Sequence, residues 1–208
     1  MARVTKEQAL AHRAAITTAS SRLFREKGLG VSVADLMAEV GLTHGGFYGH
    51  FASKGALAAS ACDEAFAGAL ATWEKRIRDA GPDGARAALV ESYVSTRSRN
   101  SKGTTCPTAV LAGDVSREPA DAPVRAAYVA GTERLLDLLA ATERSGDAAG
   151  DRSLAIGDLA TMVGALVLAR ATAGTALSDE ILVAARERLA EPTTALPPQK
   201  RVPSRGRA

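Results

Sequence analysis

The chain has 208 residues, 26 Lys and Arg against 23 Asp and Glu, and 46% hydrophobic residues of which few are aromatic. That length buries a sizeable core in one or two domains, and an alanine-rich, aromatic-poor composition favours helix over sheet. Polar residues 1–7 lack the apolar core of a secretion signal, and the run Ala160 to Ala169 is short of the ~20 residues that span a bilayer. Cys62 and Cys106 make no disulfide framework. The expectation is a soluble, cytoplasmic, all-α protein. The net charge of +3 is uneven: residues 1–57 carry +3, residues 58–190 carry −3, and residues 191–208 carry +3. The basic charge therefore sits with the first segment and the tail, as expected if the first segment meets phosphate.

In chain order, Thr5 can cap a first helix running to about Lys27, with Gly28 as its stop and Ile16, Ala19, Leu23 and Phe24 as its inner stripe. Arg3 and Lys6 precede or open it, where they could reach a DNA backbone or minor groove. Arg22, Arg25 and Lys27 read as a solvated basic face. Ser32 caps a second helix, with Asp35 three residues on, and Val33, Leu36, Met37 and Val40 repeat at i, i+3, i+4 and i+7. Gly41 stops it, and Thr43 is placed to cap the next helix, of about seven residues.

That third helix holds Gly45, Gly46 and Gly49, each costing roughly 1 kcal/mol relative to alanine. A helix so short and so glycine-rich exists only if its neighbours hold it. With Leu42, Phe47 and Phe51 inward, its outer face is Thr43, His44, Gly45, Gly46, Tyr48 and His50. This face is hydrogen-bonding, uncharged and low in bulk, which suits the DNA major groove. The unit reads as a helix-turn-helix with Thr43 to His50 as the recognition helix.

The run Gly41-Leu42-Thr43-x-Gly45-x-Phe47-Tyr48-x-His50-Phe51-x-Ser53-Lys54-x-x-Leu57 resembles the signature of the TetR family of one-component transcriptional regulators. Met37 stands where the family usually has a small residue at the helix crossing, and Gly55 where an acidic residue usually follows the lysine. The resemblance implies a homodimeric regulator, most often a repressor, reading a palindromic double-stranded DNA operator. Base-edge contacts would come from Thr43, His44 and the backbone near Gly45 and Gly46, and phosphate contacts from Ser32, Tyr48, His50 and Lys54. It also implies a small-molecule effector, bound in the second domain, that shifts the helix starting at Ser53.

Ser53 caps a long helix from Lys54 to about Ala80, ended by Gly81-Pro82, with Lys54 where backbone amides favour an anion. A second helical domain follows: a helix ending near Asn100, a loop at 101–105, and a helix opened by Cys106-Pro107. After Pro119 and Pro123 comes a helix with Tyr128, Leu135, Leu138 and Leu139 as its stripe, then a loop at 145–150. The helix from Arg152 to about Ala173 is apolar on several faces, and a last helix is expected to start at Ser178. This pair is the candidate dimer interface, through Leu159, Val163, Leu166, Val167, Ile181, Ala185 and Leu189. Trp73, Tyr93, Tyr128 and Met162 are candidate pocket residues because they are large groups in the right helices. The domains are expected at 1–53, 54–190 and a disordered basic tail at 191–208.

Other chemistry is weakly represented. His44-Gly45-Gly46-Phe47 resembles an esterase oxyanion-hole motif and Gly30-Val31-Ser32-Val33-Ala34 is near a nucleophile elbow, but their order is reversed and no run reads as a buried strand. His12, His44 and His50 lack a second ligand at metal spacing, and no phosphate-binding loop follows a strand. No enzyme activity, metal or cofactor is expected. A protein-interaction module with a purely structural helix-turn-helix is the alternative. Cys106, near a helix N-terminus, reads as a small buried hydrophobe ahead of a redox sensor.

Overall fold

The computed structural model describes residues 5–143 and 145–190. Among these there is no strand, and the order is α1 (Lys6–Lys27), α2 (Val33–Glu39), a 3-10 turn (His44–Gly49), α3 (Lys54–Tyr93), α4 (Thr96–Asn100), a second 3-10 turn (Lys102–Thr104), α5 (Pro107–Arg117), α6 (Pro123–Ala140), α7 (Ala148–Ala171) and α8 (Ala176–Ala190). Arg3 and the 191–208 tail lie outside the described residues.

Local chemistry starts and stops most of these helices as expected. Thr5 and Gln8 form a reciprocal capping box on α1, Ser32 accepts from the Asp35 amide, and Ser53 accepts from the Ala56 amide. Gly28 and Gly41 follow α1 and α2 with φ of 84° and 70°, the left-handed region that glycine enters without steric cost. Gly28 has a second constraint: a Cβ there would lie 2.6 Å from Asp114 Oδ2 on α5.

Four boundaries differ. α3 does not end at Gly81 but breaks there (φ 71°, ψ 173°) and resumes at Pro82, which as the first residue of a new helical run needs no hydrogen-bonded N–H. The helix expected to reach Asn100 stops at Tyr93, because the Val94 backbone leaves the helical region and Ser95 caps the separate α4. α7 begins at Ala148 because Asp147 accepts from the Ala149 amide. α8 begins at Ala176, and Ser178 is not its cap: the side chain is fully buried and donates to the Ala169 carbonyl across the α7–α8 corner.

α3 is the spine. Its first half packs against α1 and runs on along α6, while α7 lies between α6 and α8. The tightest approach is at Gly131 on α6, where a Cβ would overlap the Phe66 ring of α3. Two attachments join α1 to the second domain. Asp114 Oδ2 accepts from the Leu29 amide at 2.9 Å, and Arg25 donates to the Thr105 carbonyl at 3.2 Å. The C-terminal end of α1 and the turn after it are thus tied to α5 and to the segment just before it.

Between α3, α7 and α8, Arg86 faces two carboxylates. Its Nε and Nη2 donate to Asp158 at 2.9 and 2.6 Å, and its Nη1 donates to the Leu189 carbonyl. Glu143 Oε1 lies 2.8 Å from Arg86 Nε but makes no hydrogen bond, since the single Nε hydrogen is directed at Asp158. Burial, opposed by Arg86 and reinforced by Asp158, pushes the Glu143 carboxyl above its usual range.

Candidate nucleic-acid interface and adjoining cavity

The segment expected as a short α-helix after Gly41 is a 3-10 turn, His44–Gly49, and Thr43 at its start makes no side-chain capping bond. Six residues with three glycines do not sustain α-helical hydrogen bonding, and the tighter 3-10 form suits short pieces. The turn is held from below. Phe47 is fully buried and stacks on Phe51 at 5.9 Å, and the Met37 Sδ-methyl lies 3.8 Å from where a Gly46 Cβ would be. From α1, Arg13 places its guanidinium 4.1 Å over the Phe51 ring and donates to the His50 carbonyl. Nothing in the sequence near Arg13 marks this clamp, which depends on α1 crossing the turn.

This support leaves an outward face. Thr43, His44, Gly45, Gly46 and Tyr48 are exposed, with Tyr48 at 68% and its ring edge against His44. His50 is half-buried and meets His12 edge to face at 5.8 Å. A Cβ at Gly45 or Gly49 would meet nothing within 4 Å, and neither has a positive φ. Nothing in the fold requires glycine at these two positions. Lys54 is half-exposed at the first position of α3, where unpaired amides and the helix dipole favour an anion. Ser32 is exposed, but its hydroxyl is engaged with both the amide and the carboxylate of Asp35.

The basic residues of the first helix do not form one solvated face. Arg22 pairs with Glu26 at 2.9 Å and with Glu39, and the Glu26 hydrogen bond and charge raise its affinity for the proton. Lys27 is exposed. Arg25 is half-buried and points toward α5, and burial lowers its guanidinium from the usual value.

Arg25 borders a cavity of about 730 Å³ between α1, the middle of α3, α4 and the Lys102–Thr104 turn. Trp73 and Tyr93 line it, their rings edge to face at 6.1 Å. Tyr128 and Met162 do not line it: Tyr128 donates to the Thr108 carbonyl at 2.9 Å, and Met162 is fully buried in the core. Cys106 also lines it, buried and 3.0 Å from the Thr108 hydroxyl, which in turn lies 2.7 Å from Tyr93 Oη. Burial pushes the Cys106 thiol up, and the Cys62 thiol to about 12, the opposite of an activated thiolate.

The apolar α7–α8 pair divides between two roles. Leu159, Leu166 and Leu189, expected at a dimer interface, are buried within the chain's own core. Val163, Ile181 and Ala185 are partly buried, and Val167 is 42% exposed. Ile156, Leu168, Leu177 and Val183, outside the expected interface set, are also exposed. A helix apolar on several faces carries little periodic sign of which side its own fold covers. At 24 residues α7 is long and apolar enough to cross a membrane by length and composition, though the Ala160–Ala169 run alone is not. Its buried Asp158, paired with Arg86, is instead typical of a core helix.

Residues 16–61 match the model of the bacterial regulatory proteins, tetR family. No curated protein sequence matches the chain. Among solved structures, a TetR-family transcriptional regulator from Agrobacterium tumefaciens is 25% identical with a TM-score of 0.69, over 86% of this chain and 98% of that one. A TetR-family regulator from Cytophaga hutchinsonii is 20% identical with a TM-score of 0.73, over 91% and 97% of the two chains. The reduced form of NemR from E. coli is 20% identical with a TM-score of 0.70, over 86% and 95%. The N-terminal helix-turn-helix unit is thus matched in sequence to the bacterial tetR-family regulators, and the all-helical fold, with an N-terminal helix-turn-helix and a helical C-terminal domain, is shared with solved TetR-family regulators along most of the chain.

Proposed function

We propose that the chain is a ligand-responsive, homodimeric repressor of the cytoplasm, released from a palindromic operator by a small-molecule effector. The observation that carries this reading is the 3-10 turn: an exposed polar face of Thr43, His44 and Tyr48, fixed by Phe47, Phe51 and Arg13, beside two glycines the fold does not need. Missing side chains where nothing in the chain is close leave room for a partner's surface. Thr43 and His44 would reach base edges, and Tyr48, His50 and Lys54 would meet phosphates. The Ser32 hydroxyl is committed to its cap, so a phosphate contact there would fall to exposed backbone or to shared use of that oxygen.

The dimer would form through the exposed apolar face of α7 and α8, around Val167, Leu168 and Val183, with Val163, Ile181 and Ala185 at its margin. Two-fold symmetry would present two recognition turns to two half-sites. Domain limits of 1–53 and 54–190 suit this division, with α3 opening the second domain and packing against α1 of the first. The effector would occupy the cavity that touches α1 and α3 together. It releases DNA only if it binds the two states with different affinity.

The test is a titration of the full chain against labelled DNA flanking its own gene, with scrambled DNA as control, at several salt concentrations. The expected result is selective binding that weakens by roughly 0.9 log units per log salt for each phosphate contacted. Tyr48→Ala should lose about tenfold or more in affinity with an unchanged melting temperature, because the side chain is exposed. Equal affinity for both DNAs and no effect of Tyr48→Ala would instead favour an interaction module whose helix-turn-helix is structural.

A further inference from the structure

The cavity between α1 and α3 has a chemical bias. Its wall holds three arginines, Arg25, Arg76 and Arg97, against one carboxylate, Glu64, and the remaining polar groups are mostly serine and threonine hydroxyls. Arg25 donates only to backbone carbonyls, those of Ser21 at 3.0 Å and Thr105 at 3.2 Å, and has no carboxylate within ion-pair distance among the described residues. Ser21, one helical turn before it, is 3% exposed, lines the same cavity, and has a buried hydroxyl with no hydrogen-bond partner. A buried hydroxyl left unpaired is destabilising, so the position is one where a donor–acceptor group is held ready without an internal partner. Trp73 and Tyr93 supply an aromatic wall close by.

We propose that this cavity binds a small organic carboxylate, with Arg25 and Ser21 of α1 holding the carboxylate group and Trp73 and Tyr93 packing its apolar body. A carboxylate accepts from a guanidinium and a hydroxyl together, and its charge offsets the desolvation of a half-buried arginine. A cationic ligand would face three positive charges against one negative. The proposal deepens the reading of the chain as a ligand-responsive regulator, on which it rests for its consequence at DNA. Arg25 now ties α1 to the Thr105 carbonyl at the entry to α5. A carboxylate competing for that guanidinium changes how α1, and with it the recognition turn clamped by Arg13, sits against the second domain.

Trp73 is the single tryptophan and lines the cavity, so its fluorescence reports occupancy directly. The full chain is titrated with benzoate and hexanoate, with their neutral amides benzamide and hexanamide, and with inorganic phosphate. The expected result is saturable change with the acids at half-saturation about tenfold or more below the amides and below phosphate, the difference one charge-assisted hydrogen bond makes. Arg25→Gln should abolish that preference and Arg25→Lys should restore part of it. Arg22→Gln, on the outer face of the same helix, should leave it intact. Ser21→Ala leaves the Arg25–Thr105 bond in place and should weaken acid binding severalfold, which keeps the test decisive if Arg25→Gln does not fold. Amides binding as well as acids, a preference that survives both Arg25→Gln and Ser21→Ala, or phosphate binding as tightly as the acids would each overturn the proposal. DNA binding measured without ligand separates the two readings: selective DNA binding without acid preference removes only the carboxylate site, and acid preference without DNA binding removes only the regulator.

Discussion

The recognition turn and the α7–α8 pair both present surfaces that their own stability does not explain, and they do so in opposite ways. The turn is short, glycine-rich and polar outside, and one buried ring, Phe47, anchors it to the rest of its domain. α7 is long and apolar on several faces, and the fold covers part of it with α6 and α8 while Val167 and Leu168 remain outside. In the first, burial comes from outside the element and exposure is written in the sequence as small polar residues. In the second, burial and exposure use the same residue types, so neither is marked.

The sharpest way to test this difference is to remove the anchor of each. Phe47→Ala should cost about 3–5 kcal/mol, because the ring is fully buried and the turn has no internal stability to absorb the loss. Chemical denaturation would show it as a lowered midpoint, and DNA binding should be lost with it. Leu166→Ala, equally buried but within a 24-residue helix, should cost about 2–5 kcal/mol without melting α7 locally. Amide exchange should thus show local opening in the Phe47 variant and only global destabilisation in the Leu166 variant. Equal local protection in the two would break the comparison.

A smaller effect on the fold, and a larger one on assembly, is expected outside the core. Val167→Glu with Leu168→Glu places two charges on the exposed face of α7 and should shift the sedimentation of the proposed dimer to that of a monomer, with helix content unchanged. A double variant that stays a dimer would put the interface elsewhere.

The smallest effect concerns Glu143. Its carboxyl is pushed above the usual range by burial, so the folded state binds this proton more tightly than the unfolded chain does. That contribution to stability is present below the ordinary carboxylate pKa and lost as pH rises through the raised one. Glu143→Gln should flatten this part of the melting-temperature profile and leave the protein at least as stable at neutral pH, since Arg86 keeps Asp158 and the Leu189 carbonyl. A fall in melting temperature at neutral pH would show instead that the charge contact with Arg86 outweighs the burial of Glu143.

Much of the N-terminal unit was legible because its signals are local. Thr5, Ser32 and Ser53 cap within three residues of themselves, and Gly28 and Gly41 take a backbone conformation that other residues resist. Where the partner is distant in sequence, the reading failed or was silent. Ser178 looks like a cap beside Asp179 and Glu180, yet it bonds back to Ala169. Arg25 looks like a surface cation on α1, yet it bonds to the Thr105 carbonyl and lines a cavity. Gly131 is unremarkable in α6 until Phe66 lies against it.

The sequence by itself determined the all-helical class, the helix-turn-helix with its polar outer face, and most helix starts and stops, because capping, glycine conformation and apolar periodicity act over one or two turns. Only the tertiary structure decided that the recognition element is a 3-10 turn clamped by Arg13, which leucines of α7 and α8 are core, and that Ser21, Arg25, Trp73 and Tyr93 share one cavity. These depend on how helices far apart in the chain are packed, and an apolar or basic residue carries no mark of which neighbour will cover it.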